Sequence, residues 1–90
     1  MYEILYHEKV VKEDIPRLGG NVKKLIQKAI ETRLSEVPEL YGKPLRKSLA
    51  GYKKLRVGDY RVIFKIDGTS VRVFIIAHRK TVYEKVWKRV

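Results

Sequence analysis

Residues Tyr52–Phe64 read YKKLRVGDYRVIF, and the alternation is that of two strands joined by a very short loop. Gly58-Asp59, with glycine first, suits a type II′ hairpin turn. A two-residue loop pairs Val57 with Tyr60, Arg56 with Arg61, Leu55 with Val62 and Lys54 with Ile63. Two guanidiniums therefore stand opposite one another, with a lysine one step along the same face. Like charges directly opposite across a strand pair cost folding free energy, roughly a few tenths to 1 kcal/mol. That cost makes sense if an anion is meant to sit between them.

Working outward, Asp67-Gly68-Thr69-Ser70 supplies the next turn. Closing it with Ile66 opposite Val71 pairs Phe64 with Val73, Ile63 with Phe74 and Val62 with Ile75. Successive side chains alternate faces. One face then collects Leu55, Val57, Tyr60, Val62, Phe64, Ile66, Val71, Val73, Ile75 and Ala77, the expected core. The other collects Tyr52, Lys54, Arg56, Arg61, Ile63, Lys65, Arg72, Phe74, Ile76 and His78, with Arg79 and Lys80 where the strand runs out. This second face is an open platform of cations among aromatic and aliphatic groups. Phosphates favour the cations, and bases stack on aromatic rings or guanidinium planes.

Upstream, Tyr2–Tyr6 reads as a first strand and His7–Asp14 as a helical piece that Pro16 bends or ends. After Gly19-Gly20 comes the clearest helix. Asn21 is its expected N-cap, and Val22, Leu25, Ile26, Ala29, Ile30, Leu34 and Val37 recur at three- and four-residue steps until Pro38. Residues 38–51, PELYGKPLRKSLAG, have the composition of a loop. At the end, Val82, Tyr83, Val86, Trp87 and Val90 share one helical face. The order β-α-α-β-β-β-α predicts an α+β fold, a mainly antiparallel sheet with the helices packed on one face. Ninety residues make one domain, 1–90.

Charge narrows the function. Residues 1–40 hold seven Lys/Arg and seven Asp/Glu, whereas residues 41–90 hold fourteen Lys/Arg against Asp59, Asp67 and Glu84. All of the +11 net charge thus sits in the second half, an electrostatic footprint for a polyanion. With no cysteine, disulfides and thiolate metal sites are excluded; the two histidines, His7 and His78, are too few for a metal site unless carboxylates join them, no metal motif is visible, and no cofactor is expected. No apolar run is long enough for a membrane span, so a cytoplasmic protein without a membrane partner is the expectation.

No Ser–His–Asp set, phosphate-binding glycine loop or pair of opposed acids can be assembled. RNA cleavage needs none of these. The 2′-OH can attack its own phosphate if its proton is removed, the phosphorane charge is stabilised and the leaving 5′-oxygen is protonated. A lysine ringed by cations is a better base than a free lysine, because like charge disfavours its protonated form. A Tyr or His can orient the RNA or act as the acid. Lys54, Tyr52, His78 and Tyr83 are the candidates for proton transfer on or beside the platform.

The run LYGKPLRKSLAGYKKLRVGDYRVIFKI, followed by VRVFIIAHRKTVYEKV, resembles the RelE/ParE superfamily of toxins from type II toxin–antitoxin systems. LRVGDYRVIF and HRKTVY are its most specific pieces. The resemblance implies a small RelE-like (microbial RNase-like) fold and, in the RelE branch, metal-independent cleavage of mRNA in the ribosomal A site. It implies Lys54 as base or charge stabiliser, Arg61 on the scissile phosphate, Arg79 stabilising the transition state and Tyr83 stacking on or orienting the nucleotide. Tyr52, Arg56, Lys65, His78 and Lys80 would contact RNA. Tyr52 stands where some RelE members carry a second lysine, and no glutamate joins His78 to make the Glu/His pair of another branch. The implied partners are the ribosome and mRNA, and a cognate acidic antitoxin in a hetero-oligomeric complex. The alternatives are a ParE-like inhibitor of DNA gyrase and a non-catalytic RNA-binding module.

Overall fold

The computed structural model describes residues 1–45 and 49–90. Residues 46–48 of the expected 38–51 loop lie outside the described residues. Strand β1 spans Glu3–Tyr6 and is followed by a π-helical turn, Val10–Asp14, and a 3-10 turn, Ile15–Arg17. Helix α1, Gly20–Ala29, continues as a π-helical turn over Ile30–Leu34. A 3-10 turn at Pro38–Leu40 precedes β2, Lys43–Pro44. Strands β3 (Lys53–Val57), β4 (Tyr60–Asp67) and β5 (Ser70–His78) form the meander, and α2 covers Val82–Arg89.

The strands lie in the order β1-β5-β4-β3-β2, with β1 parallel to β5 and the other neighbours antiparallel. The α+β class and mainly antiparallel sheet expected from the sequence are therefore present. So is the hairpin register: Val57 pairs with Tyr60, Arg56 with Arg61, Leu55 with Val62 and Lys54 with Ile63. Gly58 carries the positive φ, 59°, that a glycine-first turn requires.

Four local expectations need correction. The N-cap of α1 is Gly19, not Asn21, with extended backbone and no side-chain cap. Residues 38–51 hold a short strand, because Lys43 and Pro44 pair with Lys54 and Lys53. A two-residue strand in a Pro/Gly-rich stretch leaves no periodic signal to find.

The third correction reshapes the sheet. Phe64 pairs with Val73, but Ile63 pairs with Ile75 and Val62 with Ile76. Phe74 is thus the extra residue of a β-bulge, and a one-residue slip exchanges the two faces beyond it. Ile76 joins Val62, Phe64, Val73, Ile26, Ile30 and Leu34 in the core under α1. Ile75 and Ala77 instead turn to the opposite face with Ile63, where Leu49, Val82 and Val86 bury them.

The fourth correction follows. The helices do not all share one face, since α2 covers this second cluster on the side opposite α1. Burying Val82 and Val86 fully there removes apolar surface worth about 1.5–3 kcal/mol per side chain. No helix among the described residues is long and apolar enough to cross a membrane.

Candidate nucleic-acid interface

Strand β3 places Lys54 on the α2 side of the sheet, where the buried Val82 and Val86 fix the helix beside it. Tyr83, next after Val82, reaches back to β3. The Lys54 ammonium Nζ donates to the Tyr83 Oη at 2.7 Å and lies 5.3 Å from the ring centroid. Lys54 is half-buried and Tyr83 exposed, so the pair faces solvent with one side free. The Tyr83 hydroxyl accepts from lysine and keeps its own O–H available for another acceptor.

One step along the strands, Arg56 stands opposite Arg61. The geometry shows how the two cations tolerate this. Arg61 folds its guanidinium back over the hairpin, and Nη1 donates to the carbonyls of Tyr60 and Gly58 at 2.9 and 3.0 Å. The carbonyl dipoles offset part of the repulsion, while Arg56 extends into solvent. Lys54, Arg56 and Arg61, with Lys43 and Gly42, line a concave surface of about 320 Å³ that no carboxylate enters among the described residues. Lys43 was not foreseen as a site residue. It arrives opposite Lys54 through the short β2 strand.

Arg79 lies at the same hairpin end. Its N–H donates to the Asp59 carbonyl at 2.8 Å, and its Nε sits 3.7 Å from the Asp59 carboxylate. Both side chains are exposed, so this contact is weak and exchangeable. Arg79 is the first residue after β5, exposed in the turn that leads to α2. Tyr52 and Lys65 occupy the opposite end of the Lys54 face. There the Lys65 ammonium sits 5.3 Å from the centre of the Tyr52 ring, which meets Phe74 edge-on at 5.1 Å. Lys80 is exposed in the turn after β5.

His78 goes elsewhere. The bulge places it opposite Tyr60, with ring centroids 5.5 Å apart, on the α1 side of the sheet. Its Nδ1 accepts from the Lys80 N–H at 3.2 Å. The structure therefore brings together Lys54, Arg56, Arg61 and Tyr83, with Arg79 beside them, and keeps His78 off that face.

Another concavity, about 390 Å³ and mostly apolar, lies between α1 and the 10–18 turn, away from these cations. On its rim, burial and the nearby Glu31 hold the Tyr6 phenol above its ordinary pKa. Among the described residues no cluster of His, Asp or Glu could hold a metal ion. Nor did any motif foreshadow the ion pair between Asp14 and Arg89, which fastens the end of α2 to β5.

The protein is thus an α+β fold whose five-stranded sheet carries, beside a Lys–Tyr contact, a cation-lined concavity that no carboxylate enters among the described residues. A family model described as "ParE toxin of type II toxin-antitoxin system, parDE" matches residues 4–83. The chain is 41% identical over 54 residues to Toxin RelG of Mycobacterium tuberculosis, covering 58% of this chain and 62% of that protein. It is 38% identical over 63 residues to Toxin RelE of the same organism, covering 70% and 65%. The matched stretches thus span less than two thirds of either relative. Among solved structures, the toxin–antitoxin complex RelBE2 of M. tuberculosis superposes with a TM-score of 0.80 at 30% identity, over 87% of this chain and 98% of that one. The isolated E. coli RelE toxin shares the fold, with a TM-score of 0.72 at 23% identity over 98% and 97%. The chain belongs to the ParE toxin family of type II toxin–antitoxin systems, within the RelE/ParE superfamily.

Proposed function

We propose that this protein is the toxin of a type II pair and a metal-independent endoribonuclease that cleaves mRNA in the ribosomal A site. The observation that carries the reading is the 2.7 Å contact between Lys54 and Tyr83 at the edge of the concavity holding Arg56 and Arg61. In this reading the arginines hold the scissile phosphate and stabilise the charge that builds on it. Lys54 acts here from its free-amine form: the 2′-oxygen attacks phosphorus as its proton passes to that amine, which becomes the ammonium. The P–O5′ bond then breaks, and the 5′-oxygen takes the Tyr83 proton. Transfer back along the Lys54–Tyr83 hydrogen bond restores both groups. A 2′,3′-cyclic phosphate and a 5′-hydroxyl are the products. Arg79, exposed beside the turn, exchanges Asp59 for a phosphate oxygen when RNA arrives.

An acidic antitoxin is the proposed protein partner. The named neighbour RelBE2 is a toxin–antitoxin complex, and the +11 charge here favours such a partner electrostatically.

The test is primer extension on a translated mRNA after adding antitoxin-free protein to programmed ribosomes, beside an Arg61→Ala variant. New 5′ ends at A-site codons with wild type, and none with the variant, support the reading. No cleavage by folded wild-type protein overturns it. The second reading, gyrase inhibition, draws on the ParE description of the matching family. A DNA supercoiling assay with the same preparation addresses it.

A further inference from the structure

The basic surface does not stop at the sheet. Arg56 also lines a second concavity of about 340 Å³, around the edge of β3, together with Lys28, Thr32, Arg33 and Gly58. Among the described residues no carboxylate lines this surface either. The two hollows adjoin because β2 pairs only with Lys53 and Lys54. Among the described residues no strand therefore covers Leu55–Val57 on that side, and Arg56 projects between the hollows. The chain joins them a second time. The Arg33 guanidinium stands 5.9 Å from the centre of the Tyr41 ring, and the next two residues, Gly42 and Lys43, line the first hollow.

Lys28 and Arg33 come from the half of the chain whose charges balance to zero. The structure sorts that balance in space. Glu31, between them in sequence, points to the other flank of the helical segment and borders the apolar cavity near Tyr6. Lys28 and Arg33 are left exposed on the flank toward Arg56. Six cations, Lys28, Arg33, Lys43, Lys54, Arg56 and Arg61, thus line two connected hollows. Such a track fits consecutive phosphates better than a single anion, because one phosphate cannot meet cations on both sides of a strand edge.

We propose that the Lys28–Arg33–Arg56 hollow is a second phosphate-binding subsite, which holds RNA backbone running on from the phosphate at Lys54 and Arg61. The proposal rests on the ribonuclease reading for the first hollow but concerns binding, so it is tested without cleavage. The phosphates belong either to the substrate strand or to structured ribosomal RNA beside it.

Fluorescence anisotropy would measure binding of labelled 2′-O-methyl oligonucleotides, which keep every phosphate and cannot be cleaved. Three-nucleotide and twelve-nucleotide probes would be compared from 50 to 300 mM salt, roughly the range over which counterion release is read. The Lys28→Gln/Arg33→Gln double variant is expected to keep the wild-type melting temperature, since both side chains are exposed. It should bind the twelve-mer more weakly, with the slope of log K against log salt reduced by about 1.4, or about 0.7 for each single-strand phosphate no longer neutralised. The three-mer should be unaffected. Arg61→Ala should weaken both probes. A twelve-mer slope equal to wild type, with ribosome binding also unchanged, overturns the subsite. An equal loss for both probes also overturns it, because a general field rather than a second contact point would then be acting. A loss confined to vacant ribosomes assigns the same phosphate site to ribosomal RNA. RNA binding with these properties, from protein that never cleaves on ribosomes, would sink the nuclease reading and leave the subsite standing.

Discussion

Arg89 grips Asp14 with both guanidinium nitrogens, at 2.7 and 3.2 Å, in an ion pair whose side chains are 8% and 5% exposed. The pair sits where β1 has ended and the outer edge of β5 would be bare. Asp14 accepts the Ile76 N–H at 3.0 Å and Arg89 donates to the carbonyl of Phe74, the bulge residue two places before Ile76, at 3.0 Å. One contact thus caps a sheet edge, satisfies an irregular stretch of backbone and anchors the helix that carries Tyr83.

Buried pairs of this kind are often replaceable by apolar residues with little loss, whereas removing one partner costs about 3–5 kcal/mol. Here the double replacement should fail as well. Asp14→Leu/Arg89→Leu leaves the Ile76 N–H and Phe74 carbonyl without partners, at about 1–3 kcal/mol for each buried group. Asp14→Ala, Arg89→Ala and the double variant should each lose at least about 2 kcal/mol in urea unfolding at neutral pH. A double variant as stable as wild type would show that the backbone caps contribute nothing.

Tyr83→Phe tests the proposed catalytic role of the Lys54–Tyr83 pair with minimal disturbance. The ring and the apolar docking of α2 remain, and only the hydroxyl bonded to Lys54 is removed. Ribosome-dependent cleavage should fall about 10²-fold or more, the usual scale for losing an acid–base group. Stability should change by less than about 0.5 kcal/mol, as for other exposed sites. Wild-type cleavage by this variant would remove Tyr83 from the chemistry.

The strand part of this candidate site was legible because Lys54, Arg56 and Arg61 lie before the bulge. The Gly58-Asp59 turn fixes the register of β3 against β4, and Lys54, Arg56 and Arg61 inherit their common face from it. His78, Ile75 and Ala77 were misplaced because one inserted residue, Phe74, inverts every side chain after it. Nothing in VRVFIIAH marks the insertion. From Val73 to Ala77 every residue is apolar, since α1 buries one face and α2 the other, so alternation carries no phase across the insertion. Lys28 and Arg33 were hidden for a different reason. A neutral segment can still present one charge sign on one flank, and only the helix geometry separates Glu31 from them.

Gly42 holds a position that tolerates no side chain. Its φ is 84°, and a Cβ there would lie 2.8 and 2.9 Å from the Phe64 ring and 3.1 Å from the Lys54 carbonyl oxygen. Phe64 is fully buried and cannot yield. Gly42→Ala should therefore cost at least about 1–3 kcal/mol from strain and overpacking. The displaced strand edge carries Lys54, so RNA affinity should fall in the fraction that still folds. Native stability in Gly42→Ala, read by thermal unfolding, would contradict the close approach.

Arg56 supplies the test of why two arginines face one another. Among the described residues it has no hydrogen-bond or ion-pair partner to compensate its position, whereas Arg61 has the carbonyls of Gly58 and Tyr60. If the pairing is a cost retained for an anion, removing Arg56 should improve the free protein and impair the complex. Arg56→Ala should raise unfolding stability by a few tenths to about 1 kcal/mol, the scale of a cross-strand like-charge pair. Added salt should shrink that gain, because screening already weakens the repulsion between exposed charges. The same variant should bind single-stranded RNA more weakly, with a salt slope shallower by about 0.7 for each phosphate that Arg56 had neutralised. A variant that loses stability, or that binds RNA as wild type does, would show that the two guanidiniums are held for folding and not for a phosphate.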